Sequence, residues 1–317
     1  MNQHDPIVGR YVYITVQGKT YRTYYEEAGE GIPIVCLHTA GTDGREYRHQ
    51  MCDADMTANF RIIAFDLPWH GKSIPPADWY LMEDEYKLTT NFYSEFILAF
   101  CRALDLHKPV IMGQSMGGNI CLDLALRYEN EFSALIALEA CDHSTGWWID
   151  PLHHPHIHGG EAVATSVFGL MSPTSPDEYR WETWWYYAQG GPGIFKGDLY
   201  FYSVDSDFRD KAHKISGRIP IYFLTGEYDF ACTPEMTIRT AEKVKNSEVT
   251  IFGGGHFPTS EDPVKFKEVI MPVLRKILQN DPERRSGGRD LPGGRQGQAP
   301  ARNGGASRPE TRRTITL

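Results

Sequence analysis

Short, continuous apolar runs separated by amphipathic segments most constrain the fold of this 317-residue chain. An uninterrupted apolar run indicates a strand that is buried on both faces, as in a parallel sheet. The runs cover residues 32–37, 62–65, 110–112, 134–138 and 219–224, and residues 248–252 are also strand-like. Helical periodicity occupies residues 43–56, 89–104, 118–128, 234–244 and 263–278. This alternation predicts an α/β fold with a doubly wound, mostly parallel sheet.

Three segments depart from the alternation. Residues 10–16 and 21–27 alternate apolar and polar side chains, which predicts a β-hairpin with one wet face. Residues 142–217 are rich in aromatic residues and turn formers, and we interpret them as an inserted cap. Residues 281–317 are rich in Gly, Pro, Arg and Ser and predict a disordered basic tail. The predicted α/β core is therefore left with residues 1–141 and 218–280.

Charge and composition restrict the partners. The net charge is −9, and residues 281–317 carry eight Arg against four acidic residues, so the rest of the chain is strongly acidic. Because nucleic acids and anionic membranes select basic faces, we expect neither as a partner. The six Cys form no CxxC pair, and the first residues lack a basic, apolar leader. These features predict neither a disulfide framework nor a zinc site, and they favour the cytoplasm.

A glycine-flanked serine carries the strongest chemical signal. The segment VIMGQSMGG at residues 110–118 leads from a buried strand directly into a helical pattern. In such a G-x-S-x-G turn the serine is strained and its hydroxyl is lifted clear of the sheet, while the glycines let strand and helix approach. The placement predicts that Ser115 is a nucleophile, against the alternative of a glycine-rich turn with a solvated serine.

A serine nucleophile needs a base, and the base needs a carboxylate that fixes its tautomer. His256, in the segment GGGHFP, follows a strand-like segment, and Asp229 follows a buried apolar run. Both are expected at the carboxyl edge of the sheet, where open α/β sheets build their sites. Glu139 and Asp142 are reserve carboxylates, and a loop histidine and a turn-capping aspartate are the structural alternatives.

Two backbone amides are candidates for an oxyanion hole, because a tetrahedral intermediate needs preorganised donors for its negative oxygen. One is the N–H of Met116, directly after the proposed nucleophile. The other is the N–H of Ala40, in the loop that follows the first buried run. We interpret His38, in the same loop, as an anchor of the loop rather than a catalytic group.

Five motifs together give residues 9–280 a specific resemblance to the α/β-hydrolase fold. They are the elbow at Ser115, the loop at His38, the DLPWHGKS segment at Asp66, the GEYD segment ending at Asp229 and the GHF segment at His256. The resemblance implies an eight-stranded, mostly parallel sheet and a Ser-Asp-His triad in that chain order. It also implies a helical cap between strands six and seven.

The residues at three motif positions restrict the reactions that this chain is expected to catalyse. Thr39 and Trp69 stand where the family usually has glycine, and we expect them to narrow the pocket or alter the oxyanion geometry. In the family, epoxide hydrolases and haloalkane dehalogenases attack with an aspartate, so Ser115 points away from them. What remains is chemistry that begins at a carbonyl.

Aromatic residues of the predicted cap suit an aromatic or acyl substrate, although core packing is the alternative for most of them. The cluster His153–His158 is interpreted as a loop and not as a metal site, since it lacks a supporting Cys or carboxylate pattern. The predicted substrate contacts are His38, Thr39, Trp69, Gln114, Trp147, Trp148, Trp184 and Phe257.

The sequence therefore predicts a cofactor-independent serine hydrolase of a carboxylic ester or lactone with a small aromatic or hydrophobic substrate. One alternative is a carbon-carbon bond hydrolase of the meta-cleavage-product or diketone type, which the same triad and cap resemble. Another is a non-catalytic ligand-binding protein that keeps the fold. The exact substrate and the oligomeric state stay open.

Overall fold

The computed structural model describes residues 4–76, 85–153, 159–281 and 313–316. In this part of the chain nine strands form one sheet in the order β1-β2-β4-β3-β5-β6-β7-β8-β9. The strands are β1 Val8–Val16, β2 Lys19–Ala28, β3 Ile32–Leu37, β4 Phe60–Phe65, β5 Val110–Gln114, β6 Ala134–Leu138, β7 Ile221–Gly226, β8 Ser247–Phe252 and β9 Arg313–Thr316.

Helices connect most of these strands. The α-helices are α1 Arg48–Met51, α2 Ala54–Thr57, α3 Thr90–Ala103, α4 Met116–Arg127, α5 Gly159–Phe168, α6 Asp177–Ala188, α7 Ile194–Tyr200, α8 Pro234–Ala241, α9 Pro258–Glu261 and α10 Pro263–Asn280. Shorter 3-10 or π turns cover Gly44–Tyr47, Glu129–Glu131, Asp150–Leu152, Phe201–Asp205 and Ala212–Lys214. Among the described residues, no helix has both the length and the apolarity that crossing a bilayer requires.

The continuous apolar runs form the parallel centre of the sheet, as predicted. Strands β3 to β8 pair in parallel, and the β1-β2 hairpin joins them through an antiparallel β2-β4 pair. Val35 of β3 belongs to the same core as Phe96 of α3, whereas its neighbour Ile34 belongs to the core that contains Phe266 of α10. Alternate residues of one strand thus enter cores on opposite faces, which confirms the doubly wound, mostly parallel α/β fold.

The helix predicted over residues 43–56 is divided into three short turns. Asp43 accepts a hydrogen bond from the backbone N–H of Arg45, and Asp53 accepts from the N–H groups of Asp55 and Met56. Each aspartate begins a new turn as an N-cap, because its side chain satisfies amides that an uninterrupted helix would satisfy internally.

The tail prediction falls mostly on residues 282–312, which lie outside the described residues. Arg313–Thr316 are a correction to it, since they form β9, antiparallel to β8. Without β9, the outer side of β8 would present unpaired backbone groups, and pairing satisfies them.

Candidate active site

The turn between β5 and α4 is a strained elbow. Ser115 has φ 56° and ψ −115°, an unfavourable conformation for a residue with a Cβ. A Cβ at Gly113 would lie 1.9 Å from the carbonyl oxygen of Gly117, and one at Gly117 would lie 2.5 Å from that of Leu37. The two glycines are therefore required by the close approach of strand and helix.

The structure brings the side chains of Ser115, His256 and Asp229 into one hydrogen-bonded chain. Ser115 Oγ lies 2.8 Å from His256 Nε2, and His256 Nδ1 lies 2.8 Å from Asp229 Oδ2. The other carboxylate oxygen, Asp229 Oδ1, accepts from the backbone N–H groups of Ala231 at 2.7 Å and Cys232 at 3.0 Å. All three side chains are buried, and the two amides fix the orientation of the carboxylate toward the imidazole.

Glu139, a reserve carboxylate, lies beside this chain. Both of its carboxyl oxygens are 3.0 Å from the backbone N of Gly226, at the end of the strand that leads to Asp229. Burial, with the negative charge of Asp229, raises the pKa of Glu139 well above its usual value. Its environment therefore favours the protonated form. The other reserve, Asp142, is held by Lys243, whose Nζ lies 2.5 Å from its Oδ2.

A neutral amide of the same shape can replace the protonated acid, so we expect Glu139→Gln to keep any steady-state activity that depends on Ser115 within about fivefold of the unmodified protein. Because the folded-state pKa of Glu139 is raised, its stabilising contribution is lost as the pH rises, and Gln does not lose it. The thermal midpoint of the variant should therefore fall less than that of the unmodified protein toward alkaline pH. A Glu139→Gln loss as large as that of Asp229→Asn would reassign the triad carboxylate.

The loop after β3 lies next to the elbow, since Leu37 pairs with Gly113 in the parallel register. His38 anchors this loop: its Nδ1 is 2.8 Å from the carbonyl oxygen of Thr39, and its Nε2 accepts from Leu67 N at 3.1 Å. Burial, together with nearby His70, lowers the pKa of His38 to about 4. His38 is thus neutral, and both ring nitrogens are used inside the protein.

The two departures from the family pattern serve packing. Thr39 Oγ1 lies 2.7 Å from Glu46 Oε1 and 2.6 Å from the hydroxyl of Tyr187, so the threonine supports the loop. Trp69 has φ 74°, a conformation that favours glycine, and its ring lies 4.6 Å from that of Tyr86. These contacts place His38 and Thr39 in the support of the site rather than among groups whose polar atoms face a substrate.

Of the other predicted substrate contacts, Phe257 lies at the triad, with its ring centroid 4.9 Å from that of His256. Gln114 is buried, and its Oε1 accepts from Thr259 Oγ1 at 2.8 Å, so it is a core side chain. Trp148 packs edge-on against Tyr200. Trp184 packs against the hydrophobic cluster that contains Phe257, and Trp147 and Trp148 pack against the larger cluster of the α3 and α4 side, while their roles toward a substrate stay predictions. Residues 154–158 of the histidine cluster lie outside the described residues.

Three buried acids near the site carried no periodic or motif signal: Glu46, Asp198 and Glu261. Glu261 Oε1 accepts from the backbone N–H groups of Gly255, beside His256, and of Ser172. Burial raises the pKa of Glu261 to about 7 despite these hydrogen bonds. Only the folded chain brings these acids to the loops that they support.

The raised pKa of Glu261 predicts a pH-dependent stability. The protonated acid keeps its full contribution below pH 4.5, the ordinary value, and loses it as the pH rises to about 7. Over that range the lost free energy of unfolding should be about 2–3 kcal/mol. Denaturant unfolding measures the free energy of unfolding at pH 4.5 and pH 7.5. Between these two values it should decline by about 2–3 kcal/mol less in Glu261→Gln than in the unmodified protein. Equal declines in both proteins would contradict the assignment, and the half-exposed Glu248→Gln is the control.

Fold and site together define an α/β-hydrolase-fold protein. The sequence model of the family described as alpha/beta hydrolase fold matches residues 32–165, which include β3, β5 and the Ser115 elbow. A solved thermophilic esterase from Thermogutta terrifontis superposes with a TM-score of 0.73 at 20% identity, over 84% of this chain and 99% of that one. At this identity the likeness shows the fold alone.

Curated relatives share limited identity with the chain. A protein of the non-heme haloperoxidase type from Mycobacterium phage D29 is 28% identical over 148 residues, which is 47% of this chain and 47% of the phage protein. The chain thus spans about half the length of that relative. Epoxide hydrolase 4 of Mus musculus is 28% identical over 314 residues, covering 88% of this chain and 83% of the mouse protein.

Proposed function

We propose that this protein is a serine hydrolase that cleaves a carboxylic ester or lactone through an acyl-enzyme. The observation that carries the proposal is the continuous hydrogen-bonded chain from Ser115 through His256 to Asp229. In this arrangement the serine hydroxyl donates to one imidazole nitrogen, and the N–H of the other nitrogen donates to a fixed carboxylate. Such a chain activates a serine as a nucleophile.

In the proposed mechanism, Ser115 Oγ attacks the substrate carbonyl while His256 Nε2 takes its proton. Asp229 holds the imidazole in the tautomer that can accept at Nε2 and stabilises the imidazolium that forms. The N–H groups of Ala40 and Met116 hold the negative oxygen of the tetrahedral intermediate. His256 then protonates the leaving alcohol, and water, deprotonated by His256, releases the acid and restores the serine.

The proposed substrate is small and aromatic or hydrophobic. Phe257 lies against the triad histidine and Tyr187 packs on Phe257, at a centroid distance of 5.2 Å, so aromatic side chains lie beside the triad. Such a lining favours an apolar acyl or aryl group over a charged one. No cofactor has a role in this mechanism.

A fluorophosphonate probe followed by peptide mapping tests the nucleophile, and a series of p-nitrophenyl esters of increasing acyl length tests the substrate class. We expect labelling at Ser115 and turnover that peaks at a short or medium acyl group. Loss of colour from a ring-cleavage dienoate without turnover of any ester would instead indicate carbon-carbon bond hydrolysis. Candidate esters and lactones recovered unchanged, with no labelling, would indicate a binding protein.

A further inference from the structure

Residues 142–217, here called the inserted segment, contribute a buried carboxylate to the loop beside the elbow. Asp198 of α7 is fully buried, and its Oδ2 accepts from the backbone N–H of Gly41 at 2.7 Å. The same oxygen lies 2.7 Å from His70 Nε2, while Oδ1 accepts from the hydroxyl of Tyr86 at 2.9 Å. One carboxylate thus joins three separate parts of the chain.

Ala40, the proposed oxyanion donor, lies between two amides that are both held by buried carboxyl groups. The N–H of Thr39 donates to Glu46 Oε2 at 2.9 Å, and the N–H of Gly41 donates to Asp198. The planar peptide unit that carries the Ala40 N–H shares its two Cα atoms with these held units, and its own carbonyl oxygen, that of Thr39, lies 2.8 Å from His38 Nδ1. Asp198 therefore helps to determine where the Ala40 N–H points.

Packing presses the same loop against the inserted segment. Gly41 has φ 74°, and a Cβ there would lie 2.8 Å from the ring of Phe195 on α7. A Cβ at Gly190 would lie 2.8 Å from the carbonyl oxygen of Gly41. The loop consequently has little room to move while α7 keeps its position.

A bare carboxylate would disfavour the negative oxygen of the intermediate, and His70 compensates for it. His70 Nδ1 lies 2.9 Å from the carbonyl oxygen of Pro68 and Nε2 faces Asp198, so both nitrogens face acceptors and both need a hydrogen. An imidazolium satisfies both contacts. The Asp198-His70 pair therefore holds the loop without adding net charge beside the site.

We infer that Asp198 is a positioning residue that aligns the Ala40 N–H for the oxyanion, so that the oxyanion hole is complete only while α7 is seated on the loop. This inference rests on the proposed function. It assigns the inserted segment a part in transition-state stabilisation.

The test compares Asp198→Asn with Asp205→Asn in the full chain. Asp205 is the matched control, because its carboxylate also accepts from a backbone amide, that of Thr90 at 2.6 Å, but in a place away from the loop. Asparagine at 198 can keep one amide acceptor but presents an NH2 group to the other donors. We expect kcat for the best ester to fall about 10- to 100-fold in Asp198→Asn, with KM changed less than threefold. Asp205→Asn should change neither parameter more than threefold.

Affinity for phenylboronic acid separates alignment from general loosening. A boronic acid adds to a serine hydroxyl and becomes a tetrahedral anion, so its binding should weaken in Asp198→Asn by about the same factor as kcat/KM. A fall in kcat without weaker boronate binding, or equal effects of the two variants, would overturn the inference. In a crystal structure of the unmodified protein with the boronate, we expect the Ala40 N–H on a boronate oxygen and Asp198 still on Gly41, which needs no variant to fold. The absence of either contact would also overturn the inference.

Failure of the unmodified protein to hydrolyse esters or to react with a fluorophosphonate would instead refute the proposed function.

Discussion

Replacement of Ser115 by alanine should reduce ester hydrolysis by at least about 10⁴-fold, because no other group in the proposed mechanism can form the acyl-enzyme. The remaining site can still bind substrate and polarise its carbonyl, so KM should change little. Steady-state kinetics of purified Ser115→Ala with the best p-nitrophenyl ester measures the loss.

Ser94→Ala is the matched control for that variant. Ser94 is also buried, and its Oγ donates to Asp123 Oδ2 at 2.5 Å on the α3-α4 side of the sheet. Its loss should cost about 1 kcal/mol of stability and leave kcat within threefold. Near-normal hydrolysis by Ser115→Ala would refute the assignment of the nucleophile.

The second large effect is expected for Asp229→Asn, about 10³- to 10⁴-fold in kcat. The two amides of Ala231 and Cys232 donate to Asp229 Oδ1, so the asparagine oxygen should take that position and its NH2 group should face His256. The imidazole must then accept at Nδ1 and carry its hydrogen on Nε2. In that tautomer His256 can no longer take the proton of Ser115.

Asp142→Asn gives the comparison. Asp142 is as buried as Asp229 but pairs with Lys243 and Arg239, so its loss should affect stability while leaving kcat within about threefold. Raising the pH should not restore Asp229→Asn, because the tautomer and not the charge of the imidazole is wrong. Activity of Asp229→Asn equal to that of Asp142→Asn would contradict the assigned role of Asp229.

The sequence made the centre of the sheet and the elbow predictable, because the relevant interactions are local. Residues 32–37 form a strand with the predicted bounds, since burial on both faces leaves a continuous apolar run. Asp229 could be found because it follows such a strand, and His256 because it follows a strand-like segment that ends at the same edge. The division of residues 43–56 into short turns was missed because the capping side chain of Asp53 competes with the helical period.

The support of the site was not predictable from the sequence, because it depends on contacts between distant residues. Asp198 and Gly41 are 157 positions apart, and neither lies in a motif that announces the other. Trp69 was expected at the pocket, yet its ring packs among Tyr21, Tyr86 and Phe92. Position 69 adopts a positive φ, which explains why the family usually has glycine there. In this chain the surrounding aromatic rings pack against the tryptophan and stabilise it in that conformation.

The acyl-enzyme is the most direct test of the account. A slowly hydrolysed aryl ester, mixed with the protein and quenched in acid within one turnover, should raise the intact mass by one acyl group, and proteolysis should locate that group on Ser115. The same experiment with Ser115→Ala should give no adduct. Turnover of the ester with no covalent adduct at any time, or an acyl group on another residue that forms and decays at the rate of turnover, would contradict the central claim.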